Sequence, residues 1–368
     1  MKIGLDAKRA FQNRTGLGNY SRTLIHNLKS FYPEEDYVLF TPRIQATYSH
    51  LFANYQIITP PGKKPLWRSF GIKKDIKKSG IDIFHGLSNE LPFDIDKSRI
   101  PSVVTIHDVI FDKETDDFPW HDRLVYRMKT QKSIRESSKI IAISQATRDD
   151  LIHRFGADPS KIQVIYQPVD RQFDAQYIAP DRFPAVKKQY DLPDQYLLYV
   201  GALMKRKNIL AMIQAWERLP PPHNIPLLIF GEGNAYKQQL TEYIRKQGIG
   251  DKVQLRSSVP FEDLPYLYRL SECVLYPSLF EGFGLPVAEA LACGSRVVTS
   301  SVSSMPEAGG DLPRYVNPRD VDSIAEGIEW SLQHSRPDPA EVTKHLSRFD
   351  SFKVTEQIMN VYRELYEK

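Results

Sequence analysis

Cysteine is almost missing from this sequence: Cys273 and Cys293 are the two it has in 368 residues, each inside an apolar run. A disulfide framework is thereby excluded, and two small buried side chains in a reducing compartment are expected, with the cytoplasm as the default. Long hydrophobic runs are lacking too. The longest apolar-looking stretch, Tyr196 to Met204, falls far short of the ~20 residues a membrane-crossing helix needs. The N-terminus reaches Asp6 before any apolar run develops, so neither a signal peptide nor a transmembrane helix is expected. No internal repeat or low-complexity tract stands out, and neither sign of charge dominates, with 49 Lys+Arg against 45 Asp+Glu.

What charge imbalance exists is local. Residues 1–190 carry 30 basic against 22 acidic side chains, and residues 191–368 carry 19 against 23. The densest basic patch, Lys63 to Lys78, sets Lys63, Lys64, Arg68, Lys73, Lys74, Lys77 and Lys78 among Leu66, Trp67, Phe70, Ile72 and Ile76. Two readings stand for it. It is a cationic amphipathic surface for an anionic membrane, which would hold the protein peripherally at the inner face, or a solvated lysine-rich helix face. Trp67 and Phe70 need a core or a partner in either case. No nucleic-acid partner is expected.

A hydrophobic share of 41% in a chain this long exceeds one compact core, so two domains are expected. Apolar runs ending in small or polar residues recur: KIGLDA, DYVLFT, IDIFHG, SVVTIHD and KIIAIS, then YLLYVGA, PLLIFGEG, CVLYPS and RVVTSS. Each is followed by helical periodicity. Such alternation predicts α/β architecture, two doubly wound domains with parallel sheets covered on both faces. The stretch from Tyr166 to Gln195 carries Pro168, Pro180, Pro184 and Pro193 without a sustained period. It reads as the connection, which assigns 1–170 and 196–350 to the domains and 171–195 to a linker. Val354, Ile358, Val361 and Leu365 recur at helical spacing, and this last helix, 351–368, is expected to pack back on the first domain. Ser144 before QATRDDLIHRF, with Gly156 after it, gives a cap and a stop.

In open α/β sheets, ligands sit beyond the carboxyl ends of the strands. The stretch YPSLFEGFGLPVAEALACG, residues 276–294, is such an end. It puts Glu281 in the exit loop and Glu289 in the first turn of the following helix, with Pro286 opening it. Gly282 and Gly284 let backbone approach a ligand, and the amides from Phe283 to Leu285 lie where a helix N-terminus favours oxygen-rich anions. A carboxylate accepts two hydroxyl hydrogen bonds at once, so two of them suit vicinal diols on sugar rings. The plainer alternative leaves Glu289 capping its own helix and Glu281 solvated.

Taken together, E-G-F-G-L-P-x-x-E-A-x-A-x-G resembles the signature of retaining glycosyltransferases of family 4, the glycosyl transferases group 1. Their GT-B fold sets two Rossmann-like domains facing each other across a cleft. The resemblance extends over nearly the whole chain, including GLGNY near the start and SSMPEAGGD at 303–311. It implies that Glu289 holds the ribose hydroxyls of a nucleotide-sugar donor and Glu281 the transferred sugar, assisted by backbone at Gly282, Phe283, Gly284 and Leu285. Arg206 and Lys207 match the family's G-x-L-x-x-R-K-N stretch and are the implied diphosphate ligands, although Ala202 stands where many members have arginine. Gly16 and Gly18 carry over as a loop near the donor phosphates. Their G-x-G spacing imitates a dinucleotide fingerprint, but the glycines lie too far past the first strand for a nicotinamide site.

His107, ending a strand, is implied to contact or orient the transferred sugar, with Asp108 holding its tautomer or loop, while His85 and Asn89 suggest an acceptor pocket. Retention ordinarily invites a carboxylate nucleophile. These motifs supply none, so same-face attack is expected, the departing phosphate taking the acceptor's proton. The triplets Asp94-Ile-Asp96 and Asp320-Val-Asp322 read as structural, and neither metal nor cofactor is expected beyond a GDP- or UDP-sugar donor. GDP-mannose is preferred on the R-K-N pattern, although Ser257 and Ser258 replace a usual glycine. The acceptor expected is a glycan or a lipid-linked glycan, in polysaccharide assembly. A nucleotide-sugar epimerase and a non-catalytic nucleotide-sugar-binding protein are the alternatives.

Overall fold

The structure, a computed structural model, describes residues 1–13, 16–62, 64, 66–113 and 118–367. Lys63, one residue of the basic patch, lies outside the described residues. The chain divides into two compact units, Met1–Pro168 with Phe349–Lys368, and Val169–Arg348.

The first unit is built on seven parallel strands: β1 (Lys2–Asp6), β2 (Asp36–Phe40), β3 (Gln56–Ile58), β4 (Ile83–Gly86), β5 (Ser102–Ile106), β6 (Lys139–Ala142) and β7 (Ile162–Val164). They lie in the order β3-β2-β1-β4-β5-β6-β7. Ile3 and Leu5 of β1 share a buried cluster with Leu24, Ile25 and Leu28 of helix Gly16–Phe31. Val354, Ile358, Met359 and Tyr362 of helix Ser351–Tyr366 join that same cluster, so the C-terminal helix belongs to this unit. The opposite face buries Val38, Phe40 and Phe84 against Trp67, Ile72 and Ile76. Burial on both faces is why these strands carry continuous apolar runs.

The second unit holds six parallel strands: β8 (Leu197–Val200), β9 (Leu227–Phe230), β10 (Val253–Arg256), β11 (Cys273–Tyr276), β12 (Val297–Ser300) and β13 (Arg314–Val316). Their order is β10-β9-β8-β11-β12-β13. Strand order therefore reverses between β1 and β4 in one unit and between β8 and β11 in the other. At these switch points the connections leave to opposite faces, which opens a crevice beyond the strand ends.

The proposed linker 171–195 is corrected by the structure: those residues are part of the second unit. Phe173 is fully buried there, and helix Phe183–Gln189 packs on helix Leu264–Leu270. Asp263 anchors the segment by accepting from Arg182 at 2.7 Å and from the Tyr190 hydroxyl at 2.6 Å. Pro180 opens a short turn and Pro184 the helix Phe183–Gln189, so a lack of period did not mean a lack of packing. Helix Gln145–Phe155 begins and ends where its caps indicate, Ser144 Oγ accepting from the Thr147 amide at 3.0 Å and Gly156 standing at φ 63°.

The basic patch resolves into a core element and a surface. Trp67 is buried and its indole N–H donates to Asp75 at 2.7 Å, while Phe70 stays half exposed and stacks on Phe93 at 4.8 Å. Lys73, Lys97 and Lys132 converge on Asp94, and Lys132 also lies over the Phe93 ring. That shared cluster joins the patch to helix Trp120–Glu136, whose Trp120, Leu124 and Met128 are exposed.

Candidate active site

Where β8 ends, the chain makes a short turn, Lys205–Lys207, then passes through Asn208 in the left-handed region at φ 61° before helix Ile209–Glu217. Asn208 fixes this turn by donating to the carbonyls of Pro277 at 3.1 Å and Pro318 at 2.6 Å, beyond β11 and β13. The Leu279 amide donates to the Arg206 carbonyl at 2.8 Å. The exit of β8 is thus stitched to the exit of β11, its hydrogen-bonded neighbour in the sheet.

This stitching brings three of the expected residues together. Lys207 Nζ donates to Glu281 Oε1 and, at 2.6 Å, to the Tyr276 hydroxyl. Arg206 Nη1 reaches Glu281 Oε2 at 3.2 Å. Lys207 and Glu281 are both buried. Burial pushes the Glu281 carboxyl up, but Lys207 and Arg206 outweigh it and hold the group below its ordinary range. Tyr276 is pushed well above its ordinary range, first by burial and then by Glu281, and remains a neutral phenol. Two cations thus converge on one carboxylate at the switch point. The backbone carbonyl of Glu281 is held by the hydroxyls of Ser303 at 2.6 Å and Ser304 at 3.0 Å.

After Glu281 the chain turns through Gly282, Phe283 and Gly284 into helix Leu285–Ala292. Gly284 is the N-cap at φ 97°, and a Cβ there would lie 2.3 Å from Met305 Cε. The backbone conformation demands glycine, and a side chain would also have to displace the end of Met305. Gly284→Ala is therefore expected to lower the unfolding free energy by about 1–3 kcal/mol; an unchanged urea midpoint would show that the loop accommodates a side chain.

Glu289 lies a turn deeper in the helix than expected and does not cap it, since Gly284 holds that position. Its carboxylate is buried and accepts from the Tyr268 hydroxyl at 3.4 Å. Burial pushes it up to about 8, with the Tyr268 bond opposing and Asp170 adding to the rise. One exit loop and helix thus hold two glutamates in opposite states, Glu281 ionised against cations and Glu289 protonated at neutral pH.

In the first unit the strand-end residues arrange differently. His107 is buried; Gln167 donates its side-chain amide to Nδ1 at 3.1 Å, and Nε2 faces the Leu87 carbonyl at 2.9 Å. Both ring nitrogens are engaged, which sets the Nε2–H tautomer, and burial pushes the imidazole down to about 4. This corrects the expectation for His107, whose ring presents no open nitrogen to a sugar hydroxyl. Of the two roles expected of Asp108, the tautomer is set instead by Leu87 and Gln167, while Asp108 holds the loop through an Asx turn with the Ile110 amide at 3.1 Å.

The acceptor-pocket role for His85 is also corrected. It is fully buried in β4, bonded to the Tyr362 hydroxyl at 2.6 Å and Thr105 at 2.8 Å, and burial pushes it down to about 3. Alternate residues of a strand face opposite sides of the sheet, and His85 faces the C-terminal helix. Asn89, at φ 56°, binds strand exits together, accepting from the His107 amide at 2.7 Å and donating to the Asp108 carbonyl at 3.3 Å. Gly16 and Gly18 open helix Gly16–Phe31 instead of preceding it. A Cβ at Gly18 would strike the Asn13 carbonyl oxygen at 2.0 Å, whereas Gly16 has open space around it.

Of the Asp-x-Asp pairs, Asp320 caps helix Val321–Gln333 by accepting from the Asp322 and Ser323 amides, and Asp94 is ringed by lysines. Among the described residues no group of three His, Cys, Asp or Glu side chains is arranged to hold a metal ion. The sequence reading missed Tyr276, Tyr268, Asn208, Ser303 and Ser304. Ser303 and Ser304 open the quoted SSMPEAGGD and Asn208 closes the R-K-N stretch, but none is given a role there; the tyrosines sit in apolar runs and read as core.

Two parallel doubly wound domains, one carrying a cation–carboxylate cluster at its switch point, define a protein of the GT-B fold. The chain belongs to the family 4 glycosyltransferases: Glycosyltransferase Family 4 matches residues 16–173 and Glycosyl transferases group 1 residues 183–346. It is therefore an enzyme that transfers a glycosyl group. It is 31% identical over 290 residues to O-antigen chain mannosyltransferase B of Escherichia coli, covering 77% of this chain and 74% of that one. It is likewise 31% identical over 265 residues to the serotype-specific mannosyltransferase WbdA of the same organism, spanning 68% of this chain and 32% of that protein. In fold it matches Anabaena Alr3699/HepE, solved in complex with UDP and glucose, with a TM-score of 0.77 over 99% of this chain and 100% of that one at 18% identity. It also matches WaaG, a glycosyltransferase involved in lipopolysaccharide biosynthesis, with a TM-score of 0.75 over 98% and 99% of the two chains at 15% identity.

Proposed function

We propose that this enzyme moves a hexose, mannose in preference, from a nucleoside diphosphate sugar onto a glycan or lipid-linked glycan in the assembly of a surface polysaccharide, with retention at the anomeric carbon. The observation that carries the reading is the convergence of Arg206, Lys207 and Glu281 at the β8/β11 switch point. Breaking the bond to the sugar builds negative charge on the departing phosphate, and the two cations Arg206 and Lys207 are placed to meet it without a metal. Glu281 is committed to two cations and Glu289 is a buried acid, so neither serves as a covalent nucleophile. The departing phosphate, held by Arg206 and Lys207, accepts the proton of the attacking hydroxyl on the same face.

Mannose is favoured by the names of the relatives in Escherichia coli, and a nucleotide-sugar donor by the ligands of the Anabaena structure. The test is transfer from GDP-mannose and from UDP-hexoses to lipid-linked glycans in excess EDTA, with the product anomer read by NMR. An α-product from an α-donor is expected. Inversion, a requirement for added Mn²⁺, or epimer formation from donor alone would each overturn part of the reading.

A cytoplasmic enzyme acting on a lipid-linked acceptor works at a membrane surface, and no helix among the described residues is long and apolar enough to cross one. Peripheral contact with an anionic membrane through the Lys63 to Lys78 patch is part of the proposal. The patch contributes the exposed side chains of Lys74, Lys77 and Lys78 with Leu66 and Phe70, joined through Asp94 and Phe93 to Trp120, Leu124 and Met128. Reversing the three lysine charges is expected to weaken binding to phosphatidylglycerol vesicles by about 1 kcal/mol per charge. Equal sedimentation of variant and parent with anionic and neutral vesicles would remove the membrane from the reading.

A further inference from the structure

The first unit carries a second polar centre, at its own switch point. Asp6 ends β1, Ser88 and Glu90 follow β4, and Arg68 comes from the turn Trp67–Gly71. Arg68 donates from Nε to Asp6 at 2.6 Å, from Nη1 to Glu90 and from Nη2 to Ser88 at 3.2 Å. Asp6, Arg68 and Ser88 are all buried. Lys129, from helix Trp120–Glu136, reaches Glu90 at 3.5 Å.

Beside this bonded base stand two further cations, Lys8 and Arg9, which share its carboxylates Asp6 and Glu90 at longer range. The side chains of Lys8 and Arg9 make no hydrogen bond or ion pair among the described residues, and Arg9 Nε is buried without an acceptor. Both belong to the same cluster. The Lys8 ammonium is pushed down first by burial, then by Arg68 and Arg9, and Arg9 also acts on Glu90 and His107. Among the described residues, Lys8, Arg9, Arg68 and Lys129 gather on two carboxylates, Asp6 and Glu90, a surplus of two positive charges. Cations that outnumber their carboxylates in partly buried ground are unfavourable unless an anion joins them.

We propose that Lys8 and Arg9 form a phosphoryl-binding subsite for the acceptor, seated on the Asp6–Arg68–Glu90 base. A phosphoryl group carries about −1.5 to −2 charge and presents several acceptor oxygens, matching the surplus, whereas a carboxylate brings a single charge. The subsite rests on the transferase reading above, because it gives the acceptor a place in the first unit. The phosphate comes from a lipid diphosphate carrier or from a phosphorylated sugar.

The test is titration calorimetry of inorganic pyrophosphate into the full chain already saturated with GDP or UDP, so that the donor site is filled. Saturable, salt-sensitive binding is expected, weakened about 10- to 100-fold by Lys8→Gln and by Arg9→Gln. Glucuronate is expected to bind more weakly than pyrophosphate. Absence of pyrophosphate binding, indifference to both substitutions, or equal binding of glucuronate would overturn the subsite. Failure of GDP and UDP to bind in the first step would instead sink the donor reading, so the two failures are separate. Stronger competition by farnesyl diphosphate than by mannose 1-phosphate assigns the phosphate to a lipid carrier, and the reverse assigns it to a sugar. Far-UV circular dichroism confirms that the variants fold; both positions are partly exposed and outside the apolar core.

Discussion

Replacing Lys207 by alanine is expected to lower kcat/KM by about 100- to 1,000-fold, the range seen when one preorganised donor to a developing oxyanion is removed. Lys207 is rigidly placed: its ammonium is bonded to Glu281 and Tyr276 and buried with them, so its charge needs no reorganisation when the diphosphate departs. The same burial gives the substitution a structural consequence. Glu281 loses one of two cations and keeps Arg206, so the loss of stability is about 1–3 kcal/mol, a fraction of the ~5–15 kcal/mol of a folded domain. The variant therefore remains folded at 25 °C while turnover falls. The effect belongs in kcat more than in KM, because the charge grows as the bond breaks. Arg206→Ala is expected to cost less, since Arg206 is the more exposed of the two and bonds Glu281 at 3.2 Å. An unchanged kcat/KM in Lys207→Ala, measured on protein with the parent's circular dichroism spectrum, would take Lys207 out of the diphosphate role.

That Lys207 and Glu281 meet was legible in the sequence because a physical rule joins them. Each follows an apolar run, each lies past a strand end, and parallel neighbours at a switch point bring such ends together although the residues are 74 apart. The strands that went unread, β3, β7, β10 and β13, are the four edges of the two sheets. An edge strand is partnered on one side only, and these four are short and partly exposed, so they carry no continuous apolar run to detect. His107 shows the other kind of limit. A histidine at a strand end looks the same in sequence whether it turns outward or inward, and what decides is Gln167, sixty residues on. Arg68 shows it again: within a run of lysines it reads as surface charge, and only the packing of Trp67 and Ile72 beneath the sheet carries it inward to Asp6.

Binding of a nucleoside diphosphate is expected to strengthen as pH rises toward 8 and to release a proton, and Glu289 is the reason. In the empty site its carboxyl stands at about 8, raised by burial, so at pH 7 it is protonated. Ribose hydroxyls donate to a carboxylate, which favours the ionised form, so binding at neutral pH expels the proton. The affinity of the parent, less that of Glu289→Gln, then climbs by up to ~10-fold per pH unit below 8 and levels above it. The folded chain alone obeys the same linkage with the opposite sign. Between the ordinary value of 4.5 and about 8 it holds a proton that the unfolded chain has released. Stability contributed by Glu289 therefore falls as pH rises through that window, by at most about 1.4 kcal/mol per unit, and Glu289→Gln flattens the slope. Calorimetry of GDP or UDP binding in buffers of different ionisation enthalpy reads the proton directly. Equal proton release by parent and Glu289→Gln would show that the nucleotide does not reach this carboxylate, and the ribose would need another acceptor.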